Sequence, residues 1–254
     1  MGLIGGGGSI LGVPILVYLE GLDSTSATSY SLFIVGITSL IGSFTYLKNG
    51  NISVEAIVQF AIASVVGVFC TRKYILPAVP EEINFLGLVL SKNSIILVVF
   101  AVLMLGSSYS MIKKRKPNLQ SDANWREFFK SPFGIPFIVF LGLMVGLLTG
   151  FVGAGGGFII VPVLMTFLKL NFKKAIGTSL TIIALNSLIG FTGNLGNQEI
   201  DWKTLLVLSA ISISGIIIGS LLAGYISAKK LKPAFGWFTL IIGIFVLGKE
   251  IFFK

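Results

Sequence analysis

Seven apolar runs divide this chain, and they constrain its fold more than any other feature. Each approaches the roughly 20 residues that a helix needs to cross a bilayer. The runs are Tyr30 to Leu47, Val54 to Thr71, Ser94 to Ile112, Phe133 to Val152, Ile176 to Phe191, Leu205 to Ile226 and Phe235 to Gly248. Only 11% of the residues are charged, against about 25% in soluble domains. The sequence therefore predicts an all-α polytopic membrane protein, with the lipid bilayer as its solvent.

The net charge of +9 has a simple explanation in such a chain. In a soluble protein it would suggest nucleic acid, but here the basic residues lie in short loops and set orientation. We therefore expect no nucleic-acid partner. The most basic loop, 113–132, is predicted to be cytoplasmic. Counting from it, Glu20 and Asp23 fall outside, and so does the loop 72–92, although it opens with the positive residues Arg72 and Lys73.

The chain has no histidine and one cysteine, which limits its chemistry. Catalytic triads, histidine metal sites and internal disulfides are excluded, so we expect neither an enzyme, a metal site nor a cofactor. By this interpretation no acidic residue lies deep in a span. Cation carriers and proton-coupled carriers often keep such a residue, and its absence favours an anion.

An internal repeat relates the two halves. Residues 2–58 align without a gap on 150–206, with 19 of 57 positions identical. The predicted units are a first membrane repeat over 1–112, the basic loop over 113–132 and a second membrane repeat over 133–254. Loop charges place the segment 28–47 and its counterpart 176–195 in opposite directions. The sequence thus predicts two inverted-topology repeats, an arrangement found in many secondary transporters.

Each repeat carries a glycine cluster, Gly5 to Gly8 and Gly153 to Gly157. Because glycine in a helix interior costs about 1 kcal/mol relative to alanine, each cluster predicts a glycine-broken helix pair that turns at membrane depth. Unwound backbone there must be buried in protein or line a cavity. Its free amides, followed by a helix N-terminus, would suit an anion. A role in packing or as a hinge is the alternative, and for the isolated Gly142 and Gly146 we expect helix packing.

Uncharged polar side chains near the clusters complete the candidate substrate-binding set. Thr38 and Asn186 occupy matched positions in the middle of spans, and Ser39 and Ser187 are also matched. For any single serine or threonine, a hydrogen bond to a neighbouring helix or to its own helix is the alternative. The candidate substrate-binding residues are Gly5, Gly6, Gly7, Gly8, Ser9, Gly153, Ala154, Gly155, Gly156, Gly157, Thr38, Asn186, Ser31 and Ser179.

The two clusters with their following spans, GGGGSILGVPILVYL and GAGGGFIIVPVLMTF, resemble the TauE/SafE sulfite exporter family. The resemblance implies a permease of the bacterial cell inner membrane that exports sulfite or related organosulfur anions, with the two glycine clusters, Pro14 and Pro162 as its site candidates. It also implies an apolar helix ahead of the first cluster, equivalent to Phe133 to Thr149. The printed sequence starts at Met1, so we expect that helix to be missing.

The resulting hypothesis is a secondary transporter that exports a small oxyanion, sulfite or an organosulfonate, by alternating access between inverted repeats. A membrane scaffold or subunit that transports nothing is one alternative, and a cation permease is another. The sequence leaves open the anion, any coupling ion, the direction of transport and the oligomeric state, with a homodimer among the alternatives.

Overall fold

The computed structural model describes residues 9–85, 88–112, 134–195, 200–223 and 228–252, which form nine helices and one β-hairpin. In chain order the elements are α1 (Ser9–Tyr18), α2 (Ser24–Lys48), α3 (Val54–Cys70, continued by a π-helical turn over Thr71–Ile75 and by Leu76–Ala78), β1 (Glu82–Phe85), β2 (Leu88–Ser91), α4 (Lys92–Ile112), α5 (Gly134–Val152), α6 (Gly157–Thr166), α7 (Phe172–Thr192), α8 (Trp202–Ala223) and α9 (Ala228–Phe252). The predicted basic loop 113–132 lies outside the described residues.

Seven of these helices are long and apolar enough to cross a membrane, which confirms the predicted all-α polytopic class. They correspond one to one with the seven apolar runs. By contrast, α1 and α6 have 10 residues each, about 15 Å of helix, and cannot cross alone. The glycine cluster at Gly153–Gly157 separates α5 from α6, as predicted for a broken helix pair, whereas the cluster ahead of α1 lies outside the described residues.

The helices α2 and α7 begin before their apolar runs because a polar cap starts each of them. The Asp23 carboxylate accepts a hydrogen bond from the Ser26 amide at 3.0 Å. The Asn171 side chain accepts one from the Lys174 amide at 2.9 Å. Side-chain acceptors of this kind satisfy amides that the first helical turn leaves free. Asp23 and Asn171 are matched by the repeat, so both halves start this span in the same way.

The predicted loop 72–92 is the main departure from the sequence analysis. The helix α3 does not end at Thr71 but continues to Ala78 through the π-helical turn. After it, β1 and β2 pair antiparallel with Glu82 opposite Ser91 and Phe85 opposite Leu88. Arg72, predicted to lie in a loop, is therefore a helical residue, and its side chain is buried.

The repeat counterparts α2 and α7 pack against each other in opposite directions. Near the start of α2, the Ser29 hydroxyl accepts a hydrogen bond from Asn194 Nδ2, just beyond the end of α7, at 2.7 Å. Just after the end of α2, the Ser53 amide donates to Thr178 Oγ1, near the start of α7, at 2.9 Å. An antiparallel contact between counterparts is what inverted repeats would give. The α2–α7 contact supports the predicted inverted repeats. The inverted relation of the complete halves stays a prediction.

Small residues bring α5 against α3, as expected for Gly142 and Gly146. A Cβ placed on Gly142 would lie 2.7 Å from the Phe60 carbonyl oxygen, and one on Gly146 would meet the backbone of Ser64. Glycine therefore lets the two helix backbones touch, which is the usual reason for small residues between membrane helices.

The short helix α6 is packed at the centre of the molecule. Its Phe158 contacts Phe100 of α4, with ring centroids 5.7 Å apart, in a buried cluster that includes Ile10 of α1. Its Ile160 and Leu164 lie in a second buried cluster, formed with α2, α3, α5 and α7. The turn that precedes α6 is consequently held between these packed elements.

Candidate functional site

The second glycine cluster forms a buried turn between α5 and α6. The helix α5 ends at Val152, and the Gly153 amide donates to the Thr149 carbonyl at 2.9 Å. Three glycines then have positive φ: 72° at Gly153, 64° at Gly155 and 75° at Gly156. Glycine reaches this left-handed region at no steric cost, which explains why the chain breaks here. Residues 153–157 are all buried, as predicted for unwound backbone held inside the protein.

The amides of this turn are largely free of protein acceptors. The Ile159 and Ile160 amides both donate to the Gly156 carbonyl, at 2.9 and 2.8 Å. Gly156 is the residue before α6 and offers no side-chain cap. Among the described residues we find no acceptor for the Ala154, Gly155 or Gly156 amides. Buried amides need a partner, and successive amides in a left-handed turn ahead of a helix form a concave anion-binding arrangement.

One side of the turn faces the crossing of α2 and α7. A Cβ on Gly155 would lie 2.6 Å from Val35 Cγ1 and 2.7 Å from Ser187 Oγ. The Ser187 hydroxyl is buried and has no hydrogen-bond partner among the described residues. A polar side chain without a partner therefore lies against the bare backbone of the turn.

Arg72 lies on the other side of the turn. Its side chain is fully buried, and its Nη2 and Thr28 Cβ are the nearest atoms to a Cβ placed on Gly153, at equal distances. Its Nη1 donates a hydrogen bond to Thr28 Oγ1 at 2.9 Å, while Nε and Nη2 have no hydrogen-bond partner among the described residues. No carboxylate of the described residues pairs with it.

The side chains around Arg72 come from the ends of several helices. The Thr28 and Ser29 hydroxyls both donate to the Thr25 carbonyl at 2.9 Å. Asn194 Nδ2 donates to Ser29, and a Cβ on Gly193 would lie 3.1 Å from Arg72 Cβ. The start of α2 and the ends of α3, α5 and α7 thus meet around one cation.

The remaining predicted site residues have mixed environments. Thr38 donates to the Ile34 carbonyl at 2.7 Å and Ser179 to the Ile176 carbonyl at 2.8 Å, so both bond their own helices. Ser31 Oγ is buried without a partner, next to Gly12. Asn186 Nδ2 donates to Ser64 Oγ of α3, and its Oδ1 has no partner. Their roles in binding stay predictions.

The first glycine cluster cannot be compared with the second. Gly5, Gly6, Gly7 and Gly8 lie outside the described residues, and Ser9 is described only as the first residue of α1.

Arg72 is the residue that the sequence analysis missed. It was assigned to an external loop because the apolar run ends at Thr71. The available signal was its poor fit to the charge pattern, since Arg72 and Lys73 are two consecutive positive residues at the start of a loop predicted to be external. An arginine that does not fit a loop pattern can instead belong to the adjacent span.

Comparisons with known proteins indicate a family of membrane transporters. The family model described as "Sulfite exporter TauE/SafE" matches residues 1–246. The chain is 26% identical to a Xylella fastidiosa (strain 9a5c) protein named "Probable membrane transporter protein", over 98% of this chain and 90% of that protein. It is 24% identical to YunE of Bacillus subtilis (strain 168), which carries the same description, over 98% and 93% of the two chains.

A protein of Methanocaldococcus jannaschii with the same description is 32% identical over 44% of each chain. No solved structure matches the chain. The family match extends over nearly the whole length and both glycine clusters, and the fold supplies seven candidate spans. The chain therefore belongs to the sulfite exporter TauE/SafE family and is a multi-pass membrane transporter.

Proposed function

We propose that this transporter exports a small oxyanion, sulfite or an organosulfonate, across the cell inner membrane by alternating access. The observation that carries the proposal is the buried turn at Gly153–Gly157, in which the Ala154, Gly155 and Gly156 amides have no acceptor among the described residues. Oxygen atoms of an anion would accept hydrogen bonds from these amides. The N-terminus of α6 adds a favourable partial positive charge at the same point.

The surroundings of the turn favour a small solute with polar oxygens. Ser187 Oγ faces Gly155 and has no hydrogen-bond partner among the residues that the structure describes, so it can donate to the same ligand. Apolar side chains such as Val35 close the rest of that side. A compact oxyanion suits this combination better than a bulky or purely apolar solute.

Movement is required because the turn and Arg72 are both buried. Substrate can enter or leave only if elements around the turn separate. The antiparallel contact of α2 with α7 is a natural place for such rocking, since it joins one half of the chain to the other. An inside-negative potential would favour export of an anion, by about 2.3 kcal/mol per charge for each 100 mV.

A flux assay in proteoliposomes tests this proposal. We expect the wild-type protein to release loaded sulfite faster than protein-free vesicles, and Gly155→Val to abolish the release. A valine there would be strained at positive φ and would displace a ligand from the turn. Gly215→Val is the matched control, because Gly215 faces open space, and it should transport normally.

Absence of flux for every tested oxyanion in the folded wild-type protein would refute the transport proposal. Wild-type rates from a folded Gly155→Val protein would remove the turn from the mechanism and leave the transport class standing.

A further inference from the structure

Arg72 is unusual among the described cations because it is buried without an anionic partner. Its exposed fraction is 0%. Lys92, at 6%, is the other buried cation named among the described residues, and its Nζ lies 3.3 Å from Glu81 Oε1. A buried charge is tolerated when it is paired and hydrogen-bonded. Neither the family assignment nor anion binding by the amides of the glycine turn explains why Arg72 is buried.

We propose that Arg72 binds the transported anion directly, through Nε and Nη2, and that it selects anions with at least two oxygen atoms. This inference rests on the proposed function and assigns its substrate a chemical class. The two nitrogens lie on the same edge of the planar guanidinium, and neither has a hydrogen-bond partner in the part of the chain that the structure describes. That edge matches two oxygens of one oxyanion, in a geometry that a monatomic anion cannot use.

The third nitrogen of the guanidinium is already engaged and fixes its orientation. Nη1 donates to Thr28 Oγ1, and the Thr28 hydroxyl in turn donates to the Thr25 carbonyl. Because Nη2 lies against Gly153, an anion held by the free edge would be next to the free amides of the turn. Thr28 is therefore a positioning residue, and the arginine and the turn form one site.

The π-helical turn explains how a residue at this point of α3 faces inward. Such turns carry an extra residue, change which side chains face a given direction, and are frequent at functional sites. The adjacent Lys73 points outward, with its Nζ 5.4 Å from the Phe69 ring centroid. Consecutive cations thus have opposite environments, and Lys73 offers a matched control.

The repeat gives this site no counterpart in the other half. The position matched to Arg72 at the offset of 148 is Ser220, and the position matched to Thr28 is Ile176. We therefore expect one arginine-dependent anion site per chain.

Binding measurements on the purified full-length protein in detergent test the proposal. Sulfite and nitrate serve as oxyanion probes, with bromide as the monatomic probe at equal ionic strength. In isothermal titration the wild type should bind the oxyanions and discriminate against bromide. Arg72→Lys keeps the charge but loses the two-nitrogen edge, and should weaken sulfite binding about tenfold or more. Arg72→Gln should abolish it, while Lys73→Gln should bind as the wild type does.

Wild-type sulfite affinity in folded Arg72→Lys and Arg72→Gln proteins would overturn the proposal. If neither variant folds, two measurements still test the proposal: sulfite binding by Thr28→Val, and the binding of sulfite, nitrate and bromide by the wild type. Thr28→Val should weaken sulfite binding about threefold to tenfold and leave bromide unaffected, whereas equal wild-type binding of sulfite and bromide would contradict the inference. Failure of the proposed function is separate, since it shows as no oxyanion flux in wild-type vesicles. Oxyanion flux that is equal in the wild type and the Arg72 variants would refute only the role of Arg72 and would leave the transport proposal standing.

Discussion

Gly42 of α2 and Gly190 of α7 are repeat counterparts, and the residues that pack against Gly42 are the repeat counterparts of those that pack against Gly190. A Cβ on Gly42 would lie 2.9 Å from Ile216 Cδ1 and 3.5 Å from Leu180 Cδ1. A Cβ on Gly190 would lie 2.5 Å from Val68 Cγ1 and 3.5 Å from Leu32 Cδ1. In the repeat alignment Leu32 is matched to Leu180 and Val68 to Ile216. Each glycine therefore receives the counterpart of what the other receives, as a two-fold relation between opposed repeats would produce.

This relationship predicts that both glycines are required for close packing. Gly190→Ala and Gly42→Ala should each lower the free energy of unfolding, by about 1–3 kcal/mol for overpacking. Gly190→Ala should cost more because the nearest atom belongs to stiff, β-branched Val68, whereas the end of Ile216 can shift. Thermal unfolding in one detergent measures both. Gly106→Ala is the control, since nothing lies within 4 Å of its Cβ position; equal stability of all three variants would contradict the prediction.

A second prediction concerns Gly67 and Gly215, which occupy matched positions but differ in surroundings. A Cβ on Gly67 would lie 2.7 Å from the Leu143 carbonyl oxygen and 2.9 Å from the Leu147 amide nitrogen. Backbone atoms of α5 cannot move aside cheaply, so Gly67→Ala should destabilise the protein by about 3 kcal/mol or more. Gly215 has nothing within 4 Å, and Gly215→Ala should be neutral or stabilising by up to about 1 kcal/mol.

The two substitutions should differ because α5 packs on α3 next to Gly67, whereas no equivalent helix among the described residues packs on α8 next to Gly215. Unfolding of the two variants in lipid nanodiscs, compared with detergent, is the measurement. Severe destabilisation by Gly215→Ala would show that another helix covers this face of α8.

A third prediction is that Ser187→Ala lowers the affinity for sulfite but leaves the stability of the protein nearly unchanged. Its hydroxyl is buried without a partner, so Ser187→Ala removes no hydrogen bond of the free protein. Stability should therefore change by less than about 1 kcal/mol. If the hydroxyl donates to the substrate, affinity should fall by about twofold to tenfold. Titration with sulfite tests this, with Ser209→Ala as the control because Ser209 bonds its own helix at the Leu205 carbonyl. Unchanged sulfite affinity in Ser187→Ala would remove Ser187 from the site.

A fourth prediction concerns the hydrogen bond from Asn186 to Ser64, which joins α7 to α3. A double-mutant cycle with Asn186→Ala and Ser64→Ala should give a coupling of about 0.6 kcal/mol, the average for such bonds in membrane helices. Equilibrium unfolding in mixed micelles provides the four free energies. Strictly additive effects would show that the contact does not hold the helices together.

Much of the fold could be read from the sequence because its signals are local. The apolar runs gave seven spans, and the glycine cluster at Gly153–Gly157 gave the break between α5 and α6. Helix ends were less accurate: α2 starts six residues before Tyr30, the start of its apolar run, since Asp23 caps the helix in a polar stretch that hydropathy does not detect. The π-helical turn was missed because hydropathy does not report helix type; at this point Thr71 Oγ1 donates to the Gly67 carbonyl of α3 and to the Leu147 carbonyl of α5.

The candidate site was predicted in part. Glycine clustering identifies where backbone amides become free, so the turn was found. Of the matched polar residues, Thr38 and Ser179 bond their own helices, and a list of residue types cannot distinguish that from ligand contact. Ser187, noted only as the repeat counterpart of Ser39, faces the turn.

By itself the sequence determined the bilayer as solvent, the repeated plan of the two halves and the place where a helix must break, because hydrophobicity and backbone freedom act residue by residue. Only the tertiary structure decided that Arg72 lies inside. Its environment comes from Thr28 and Gly153, which are far from it along the chain, and the direction of its side chain depends on a single extra residue in the helical turn.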